Sequence, residues 1–270
     1  MKITLTDIER ESYKDSPIHR LDGRIKILIM LSVILYAVNL PRMHELNLIR
    51  LSMIEAYLIA LIMIANLNPV YIFFRFITIL PFGLGIAVLQ PFIRQPFIES
   101  FTLYPMSLPF GLTMTFEGLE FGAVLLGKFA VCATSIILLS STTQMKDMVV
   151  SARRLGVPKD FTLLLTMMVR YLFVFWNVLK RIHVAQKTRL FNIWNKKVPR
   201  KWTLKQIGHS ISSLFIRSYE QGERTYISML CRGYGGSQQI YVDRKALGGM
   251  DYIFFGLTCG AIVCVHFFVG

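Results

Sequence analysis

Long apolar runs recur along the chain and are separated by shorter polar stretches. A helix needs about 20 mostly apolar residues to cross a bilayer. Five runs reach or approach this length, and they lie at about residues 26–40, 48–67, 70–93, 119–141 and 252–269. The pattern predicts an all-α, polytopic membrane protein with about five transmembrane helices.

A further apolar run, at residues 161–179, does not fit a simple crossing. Its polar residues recur at helical spacing, at Thr166, Arg170, Asn177, Arg181 and Thr188. These spacings place them on one stripe of a helix. We interpret the segment as a long amphipathic helix that continues to about Arg189 and lies beneath or partly within the membrane. A true crossing with one snorkelling arginine is the alternative.

Composition supports a membrane protein, since 54% of the 270 residues are hydrophobic and only 17% are charged. Soluble domains are roughly 25% charged. The net charge of +14 equals the balance of residues 142–250 alone, which hold 19 Lys and Arg against 5 Asp and Glu. Positive charge near spans marks the cytoplasmic side. We therefore expect a multi-pass protein of the inner or plasma membrane, with its N-terminus and residues 142–250 in the cytoplasm.

This topology divides the chain into four parts. They are a cytoplasmic N-terminal segment at 1–25, transmembrane helices 1–4 within 26–141, a basic cytoplasmic domain at 142–250 and transmembrane helix 5 at 251–270. The loop at 91–113 contains four prolines, which favours an irregular re-entrant or capping segment. Small residues four apart, at Gly118/Gly122 and Gly256/Gly260, predict close helix approach.

The sequence offers little support for catalysis. It contains no phosphate-binding glycine loop, no C-x-x-C pair and no histidines spaced i,i+4. We therefore expect no catalytic, cofactor-binding or metal-binding residues in this chain. Three charged residues fall within the predicted spans, namely Glu55, Arg75 and Lys128. They indicate either a structural pair, Glu55 with Lys128 or Arg75, or part of a substrate pathway.

The basic domain reads as three helices. The first covers 144–160 and stops at Gly156 and Pro158, the second covers 161–190, and the third covers 213–236 with Gly233 as its stop. Arg189 and Arg232 stand near the ends of the second and third helices. A cation there complements the helix dipole by roughly 0.3–1 kcal/mol. Alternatively, each guanidinium is placed to pair with a carboxylate of a soluble partner.

Four segments resemble a known family: SPIHRLDGRIKIL, SARRLGVPKDF, VRYLFVFWNVLKRIHVAQKTR and RSYEQGERTYISMLCRGYGG. They are similar to the transmembrane coupling (T) component of energy-coupling factor transporters, most closely its CbiQ-like cobalt/nickel branch. The resemblance implies a non-catalytic subunit with long cytoplasmic amphipathic coupling helices. It also implies two cytosolic ABC-type ATPases that bind the ATP, and a separate substrate-binding membrane subunit (S component, CbiM-like).

The family carries two short Ala-Arg-Gly-like motifs that insert into grooves of the two ATPases. The matches here are Thr188-Arg189-Leu190 and Cys231-Arg232-Gly233; the second keeps Arg and Gly, and the first keeps only Arg. The resemblance thus implies ATPase-coupling roles for Arg189, Arg232, Gly233, Thr188 and Cys231. We expect a supporting coupling surface at Arg153, Arg154, Glu220 and Arg224.

Two alternatives remain open from the sequence. The first is an integral membrane enzyme or lipid-binding protein whose basic segment, such as NKKVPRK at 195–201, contacts anionic lipid. The second is a T component that serves a vitamin rather than cobalt or nickel. Membrane lipids are expected around the spans in every case. Nucleic acid is not an expected partner, because the basic segment is tethered to a membrane domain.

Overall fold

The computed structural model describes residues 16–41, 46–92, 103–107, 113–189, 198–235 and 248–268. The helices in these ranges are α1 (Gly23–Asn39), α2 (Leu46–Ile64), α3 (Pro69–Leu89), α4 (Phe116–Thr142), α5 (Met145–Arg154), α6 (Lys159–Thr188), α7 (Arg200–Cys231) and α8 (Gly249–Phe268). A 3-10 turn at Gln90–Phe92 and two short strands, β1 (Leu103–Ser107) and β2 (Thr113–Thr115), complete the described elements. The predicted helical fold class is confirmed.

The chain forms two compact units. The bundle unit comprises Met1–Gly156 and Lys245–Gly270, and the paired-helix unit comprises Val157–Arg244. The paired-helix unit thus begins after α5, whereas the basic domain defined by charge begins at residue 142. Helix α5 belongs to the bundle unit.

Helix α4 lies at the centre of the bundle unit and packs against α1, α2 and α3. Ile29 and Val33 of α1, Leu58 of α2 and Leu138 of α4 are almost fully buried between these helices. The opposite faces of the same helices expose large apolar side chains, among them Leu35, Phe73 and Phe82. Helices that are apolar both inside and outside are typical of a membrane bundle.

Glycine permits one close helix contact that the small-residue spacing predicts. A Cβ atom at Gly122 of α4 would lie 2.8 Å from the carbonyl oxygen of Ala87 in α3. The prediction for this pair of helices is therefore confirmed. Added Cβ atoms at Gly256 and Gly260 of α8 would have nothing within 4 Å. The prediction of close approach there is not met by the described part of the chain.

Five helices in the described ranges are long and apolar enough to cross a membrane. They are Leu46–Ile64, Pro69–Leu89, Gly118–Thr142, Lys159–Thr188 and Gly249–Phe268. This set includes α6 and omits α1, so it differs from the predicted spans at two helices. Helix α1 has 17 residues. At 1.5 Å per residue it is about 25 Å long, slightly less than the hydrocarbon thickness of about 30 Å.

The short α1 ends beside the middle of α4. There the Lys128 ammonium donates hydrogen bonds to the carbonyl oxygens of Val38, at 3.1 Å, and Leu40, at 2.7 Å. The last carbonyls of a helix have no intrahelical donor and need another partner, especially where water is scarce. Lys128 therefore supplies donors to the end of α1.

The proline-rich loop contains regular structure that the sequence did not predict. Strands β1 and β2 pair antiparallel, with Leu103 opposite Thr115 and Ser107 opposite Thr113. Pro105 is tolerated within β1 because each strand of a two-stranded pair has an edge without ladder partners. The rest of the predicted irregular segment, at 93–102 and 108–112, lies outside the described residues.

A polar cluster joins α1, α5 and α8 within the bundle unit. Asp22 caps α1 and accepts a hydrogen bond from the backbone N–H of Arg24 at 3.0 Å. Its second carboxylate oxygen accepts from the Arg154 guanidinium of α5 at 3.3 Å. Its backbone N–H donates to the Asp251 carboxylate of α8 at 2.9 Å. One residue thus connects three helices that are far apart in sequence.

Lys26 of α1 connects this region to α4. Its side chain is 3% exposed, and its ammonium donates to the carbonyl oxygens of Thr142, at 3.0 Å, and His19, at 3.1 Å. The Thr142 carbonyl is one of the unpaired acceptors at the end of α4. Lys26 therefore joins the first turn of α1 to the end of α4, and Lys128 joins α4 to the end of α1.

Candidate functional site

The two helices of the paired-helix unit begin in the same way. Pro158 precedes α6 with φ −52° and ψ 143°, and Pro199 precedes α7 with φ −57° and ψ 132°. Proline fixes φ and lacks the N–H that a helix start leaves unpaired. The third predicted helix therefore starts at Arg200, thirteen residues earlier than the sequence interpretation placed it. Pro199 was the signal that could have located this start.

The two helices also end in the same way. Arg189 is the C-cap of α6, with φ −87° and ψ 20°, and Arg232 is the C-cap of α7, with φ −91° and ψ 9°. The backbone N–H of Arg189 donates to Gln186, and that of Arg232 donates to Met229, both at 3.1 Å. Both arginines are exposed. The chain thus presents two guanidinium groups from nearly identical backbone conformations.

Gly233 ends α7 with a complete Schellman motif. Its φ is +81°. The N–H of Tyr234 donates to the Met229 carbonyl at 3.0 Å, and the N–H of Gly233 donates to the Leu230 carbonyl at 2.9 Å. These two bonds define the motif, and glycine suits the left-handed position it requires. The predicted helix stop is confirmed. At the other arginine, Leu190 lies outside the described residues.

Helices α6 and α7 pack antiparallel. The Tyr171 hydroxyl and the Thr225 hydroxyl share a hydrogen bond at 2.5 Å, and the Gln186 amide donates to the Ser210 hydroxyl at 2.6 Å. The two contacts are fifteen residues apart on each helix, in opposite chain directions. The C-caps therefore lie at opposite ends of the pair. Extrapolating the helical rise separates Arg189 from Arg232 by roughly 38 Å along the pair.

The half-buried face of α7 mixes polar and apolar side chains. Ser210 and Thr225 contact α6 there, and Ile207, Leu214 and Met229 are half-buried on the same face. Other large apolar side chains lie on another stripe and are exposed, namely Leu204, Ile211, Phe215, Tyr219, Tyr226 and Leu230. An exposed apolar stripe of this length is typical of a surface that another protein or the membrane covers.

The helix predicted over 161–190 is confirmed, because α6 is continuous over Lys159–Thr188. Thr166, Arg170, Asn177, Arg181 and Thr188 are all exposed, as are Leu164, Met168 and Val184 of the same helix. The Thr188 hydroxyl donates to the carbonyl of Ala185 in the preceding turn at 2.9 Å, which keeps it near the C-cap.

The remaining predicted residues of the paired-helix unit lie on α7. Cys231 is an exposed free cysteine immediately before Arg232. Glu220 and Arg224 form an exposed i,i+4 ion pair at 3.3 Å. Such surface pairs contribute about 0–1 kcal/mol to stability, so this one shapes the charge of the surface more than it holds the fold.

Arg153 and Arg154 are the other two residues expected on the coupling surface. Both belong to α5 in the bundle unit, and the Arg154 guanidinium is held by Asp22. Its side chain is 13% exposed. This contact joins α5 to the start of α1. The supporting coupling role of Arg153 and Arg154 stays a prediction.

The charged residues of the predicted spans each have their own partner. Glu55 accepts a hydrogen bond from the Thr134 hydroxyl at 2.6 Å, and Arg75 donates to the Ser141 hydroxyl at 3.3 Å. Lys128 binds the end of α1. These contacts replace the pairing of Glu55 with Lys128 or Arg75 that the sequence suggested.

Comparison with known proteins gives a family match over most of the chain. The family model described as CbiQ, cobalt transport protein, matches residues 14–242. An uncharacterised protein of Methanocaldococcus jannaschii is 27% identical over 250 residues, which cover 91% of this chain and 81% of that protein.

Two relatives with functional names are more distant or longer. A putative fused cobalt transport protein CbiMQ of Methanocorpusculum labreanum is 28% identical over 92% of this chain and 41% of its own length. The energy-coupling factor transporter transmembrane protein EcfT of Heliobacterium modesticaldum is 22% identical over 93% of this chain and 92% of its own length. The residues that the family model matches, 14–242, include both Arg189 and Arg232.

Proposed function

Because the chain belongs to the CbiQ family of cobalt transport proteins, we propose that it is the transmembrane coupling (T) subunit of an energy-coupling factor transporter for cobalt ions. It is a multi-pass membrane protein. In the proposal, two cytosolic ABC-type ATPases bind and hydrolyse ATP, and a separate membrane subunit binds the metal ion. This chain joins them and catalyses no reaction itself.

The arrangement of the two arginine C-caps carries the proposal. Each guanidinium stands at the exposed end of a long helix, and the antiparallel packing directs the two ends away from each other. A protein that must contact two ATPases at once needs two such sites on one rigid element. Guanidinium groups suit this task because they pair bidentately with carboxylates.

The packing of α7 against α6 supports a cytoplasmic location for both helices. Between its two contacts with α6, helix α7 carries Arg217, Glu220, Glu223 and Arg224, all of them exposed. Charged side chains are costly in hydrocarbon. If α6 crossed the membrane, the attached α7 would bring these charges with it. We therefore keep the interpretation of α6 as an amphipathic helix, although its length and composition alone would allow a crossing.

In the proposal, the exposed apolar stripe of α7 contacts the substrate-binding subunit. Movement of the ATPases against each other would displace the two ends of the helix pair. The stripe at Ile211, Phe215 and Tyr219 would pass this movement to an apolar surface of the substrate-binding subunit. The fused relative named CbiMQ supports a partner of this kind, because this chain matches only 41% of it.

The experiment that tests the proposal removes the two guanidinium groups. A hydrogen bond to a charged group contributes about 1.5–3 kcal/mol, or roughly a 10- to 150-fold change in affinity. Arg189→Ala and Arg232→Ala should each weaken retention of the source organism's ABC-type ATPases on the purified chain. The double variant should lose the ATPases and ATP-driven cobalt uptake in vesicles.

The matched control is Arg217→Ala, which removes an exposed arginine from the interior of α7. It should retain the ATPases and uptake at the level of the natural chain. Undiminished retention of the ATPases by the double variant would refute the proposed function. Membrane insertion, followed by the yield of monodisperse protein in detergent, should be equal in all four variants.

A further inference from the structure

The stretch that forms most of the helix pair has an unusual charge distribution. Residues 161–219 contain eleven Lys and Arg and no Asp or Glu. The acidic residues of the paired-helix region lie outside this stretch. The two ends of the helix pair therefore differ in charge.

One end is strongly basic. It is formed by the last turns of α6 and the first turns of α7, which the hydrogen bond between Gln186 and Ser210 holds together. Its described basic side chains are all exposed, and they are Lys180, Arg181, Lys187, Arg189, Arg200, Lys201 and Lys205. We call this the basic end.

The other end is close to balanced in charge and also exposes aromatic and aliphatic side chains. It is formed by the first turns of α6 and the last turns of α7, and its exposed charged side chains are four cations and three carboxylates, namely Lys159, Arg170, Arg224, Arg232, Asp160, Glu220 and Glu223. Tyr226, Leu230 and Tyr234 are exposed beside Arg232, at 53%, 47% and 42%. We call this the aromatic end.

These surfaces favour different kinds of contact. A concentration of one sign of charge attracts a partner of the opposite sign over a Debye length, about 10 Å at 0.1 M salt, and loses this attraction as salt rises. Contacts made by aromatic and aliphatic side chains do not weaken in the same way, because burial of apolar surface is not an electrostatic effect.

We propose that the two arginine sites are inequivalent: the basic end binds an acidic protein surface of an ATPase by long-range electrostatics, and the aromatic end binds its ATPase mainly by apolar contact around one guanidinium. The inference rests on the proposed function and adds the kind of partner surface that each end fits. Both ends share the arginine C-cap, and the surrounding residues determine how strongly each binds at a given ionic strength.

The test isolates one end at a time in the full chain. Arg232→Ala leaves the basic end, and Arg189→Ala leaves the aromatic end. Each variant is placed in nanodiscs of uncharged phosphatidylcholine, and the Kd for the purified, fluorescently labelled ATPase of the source organism is measured at about 0.1 M and about 0.5 M NaCl. Binding at the basic end should weaken at least about tenfold, and binding at the aromatic end less than about threefold.

A second measurement removes charge from the basic end while keeping Arg189. In the Arg232→Ala background, Lys201→Gln with Lys205→Gln should weaken ATPase binding at low salt by about five- to tenfold. The matched control in that background is Lys146→Gln with Lys159→Gln, which removes two exposed lysines from outside the basic end. This control should change the Kd less than about twofold.

The outcomes separate the inference from the proposed function. Equal salt dependence of the two single-arginine variants would overturn the inference and leave the function intact, whereas failure of both arginine substitutions to weaken ATPase binding would overturn the function. A membrane role for the basic end is also distinguishable. If the lysine substitutions leave the ATPase Kd unchanged but abolish a difference between phosphatidylcholine and phosphatidylglycerol nanodiscs, the surface binds lipid and the inference fails.

Discussion

At the scale of single residues, Arg232 and Gly233 together form the end of α7. The arginine presents its charge at the end of α7, and the glycine adopts the positive φ that closes the helix behind it. The two Schellman hydrogen bonds fix the backbone from which the guanidinium projects. The position of the Arg232 guanidinium therefore depends on Gly233, although Gly233 itself has no side chain that could contact a partner.

Replacing Gly233 by alanine should separate geometry from charge. A residue with a Cβ atom at φ +81° is strained by roughly 1–2 kcal/mol, so the C-cap should rearrange while Arg232 keeps its charge. We expect ATPase binding at this end to weaken by about five- to tenfold, measured by titration with the labelled ATPase.

The control for this prediction is Gly222→Ala in the interior of the same helix. An added Cβ atom there would have nothing within 4 Å. Because alanine is favoured over glycine in a helix by about 1 kcal/mol, this variant should bind at least as well as the natural chain. Equal binding by Gly233→Ala and Gly222→Ala would contradict the assigned role of Gly233.

At the scale of elements, α1 shows how a short helix is held inside a membrane bundle. Its start is capped by Asp22, which also contacts α5 and α8, and its end receives hydrogen bonds from Lys128. Charged residues within or beside the apolar segments thus form hydrogen bonds with backbone and side-chain groups of neighbouring helices. The polar cluster also adjoins, along the chain, both places where the bundle unit connects to the paired-helix unit.

The contact between α1 and α5 gives a stability prediction. A Cβ atom at Gly23 would overlap the hydroxyl oxygen of Ser151 and lie 3.3 Å from its Cβ. Rotation of the hydroxyl relieves only the first contact, so Gly23→Ala should destabilise the bundle by about 1 kcal/mol. A lower midpoint of thermal denaturation in detergent would show this.

Two further variants serve as controls for the Gly23→Ala measurement. Ser151→Gly removes both opposing atoms, so the variant with both substitutions should recover part of the loss, beyond the sum of the single effects. Gly85→Ala in α3 has nothing within 4 Å of its added Cβ and should leave the midpoint nearly unchanged. A midpoint for Gly23→Ala equal to that of Gly85→Ala would show that the contact does not matter.

At the scale of the whole molecule, the proposed function needs α5 and the paired-helix unit on one side of the membrane. Lys205 is exposed near the start of α7, level with the end of α6, and Lys146 is exposed at the start of α5. If α6 does not cross the bilayer, both positions face the cytoplasm. If α6 crosses, they face opposite sides.

Cysteine labelling distinguishes these topologies. In a chain with Cys132, Cys231, Cys259 and Cys264 replaced by alanine, one form carries Lys205→Cys, and the other carries Lys146→Cys. A membrane-impermeant maleimide should label both forms in inverted vesicles and neither in right-side-out vesicles. Labelling of the two forms from opposite sides would rule out the cytoplasmic helix pair and with it the proposed coupling.

The sequence by itself determined those features that depend on neighbouring residues. Apolar runs of sufficient length indicated the membrane class, the stop at Gly233 followed from glycine's tolerance of positive φ, and the continuous helix α6 followed from a helical period. The family itself was recognisable because its motifs are continuous stretches of chain.

The tertiary structure decided every feature whose partners are distant along the chain. Arg154 meets Asp22 across 132 positions, and Lys128 meets the carbonyl of Leu40 across 88. The antiparallel register that separates Arg189 from Arg232 depends on contacts across 54 and 24 positions. No local period encodes such pairings, because they arise when helices pack and each buried polar group takes the nearest partner that the packing supplies.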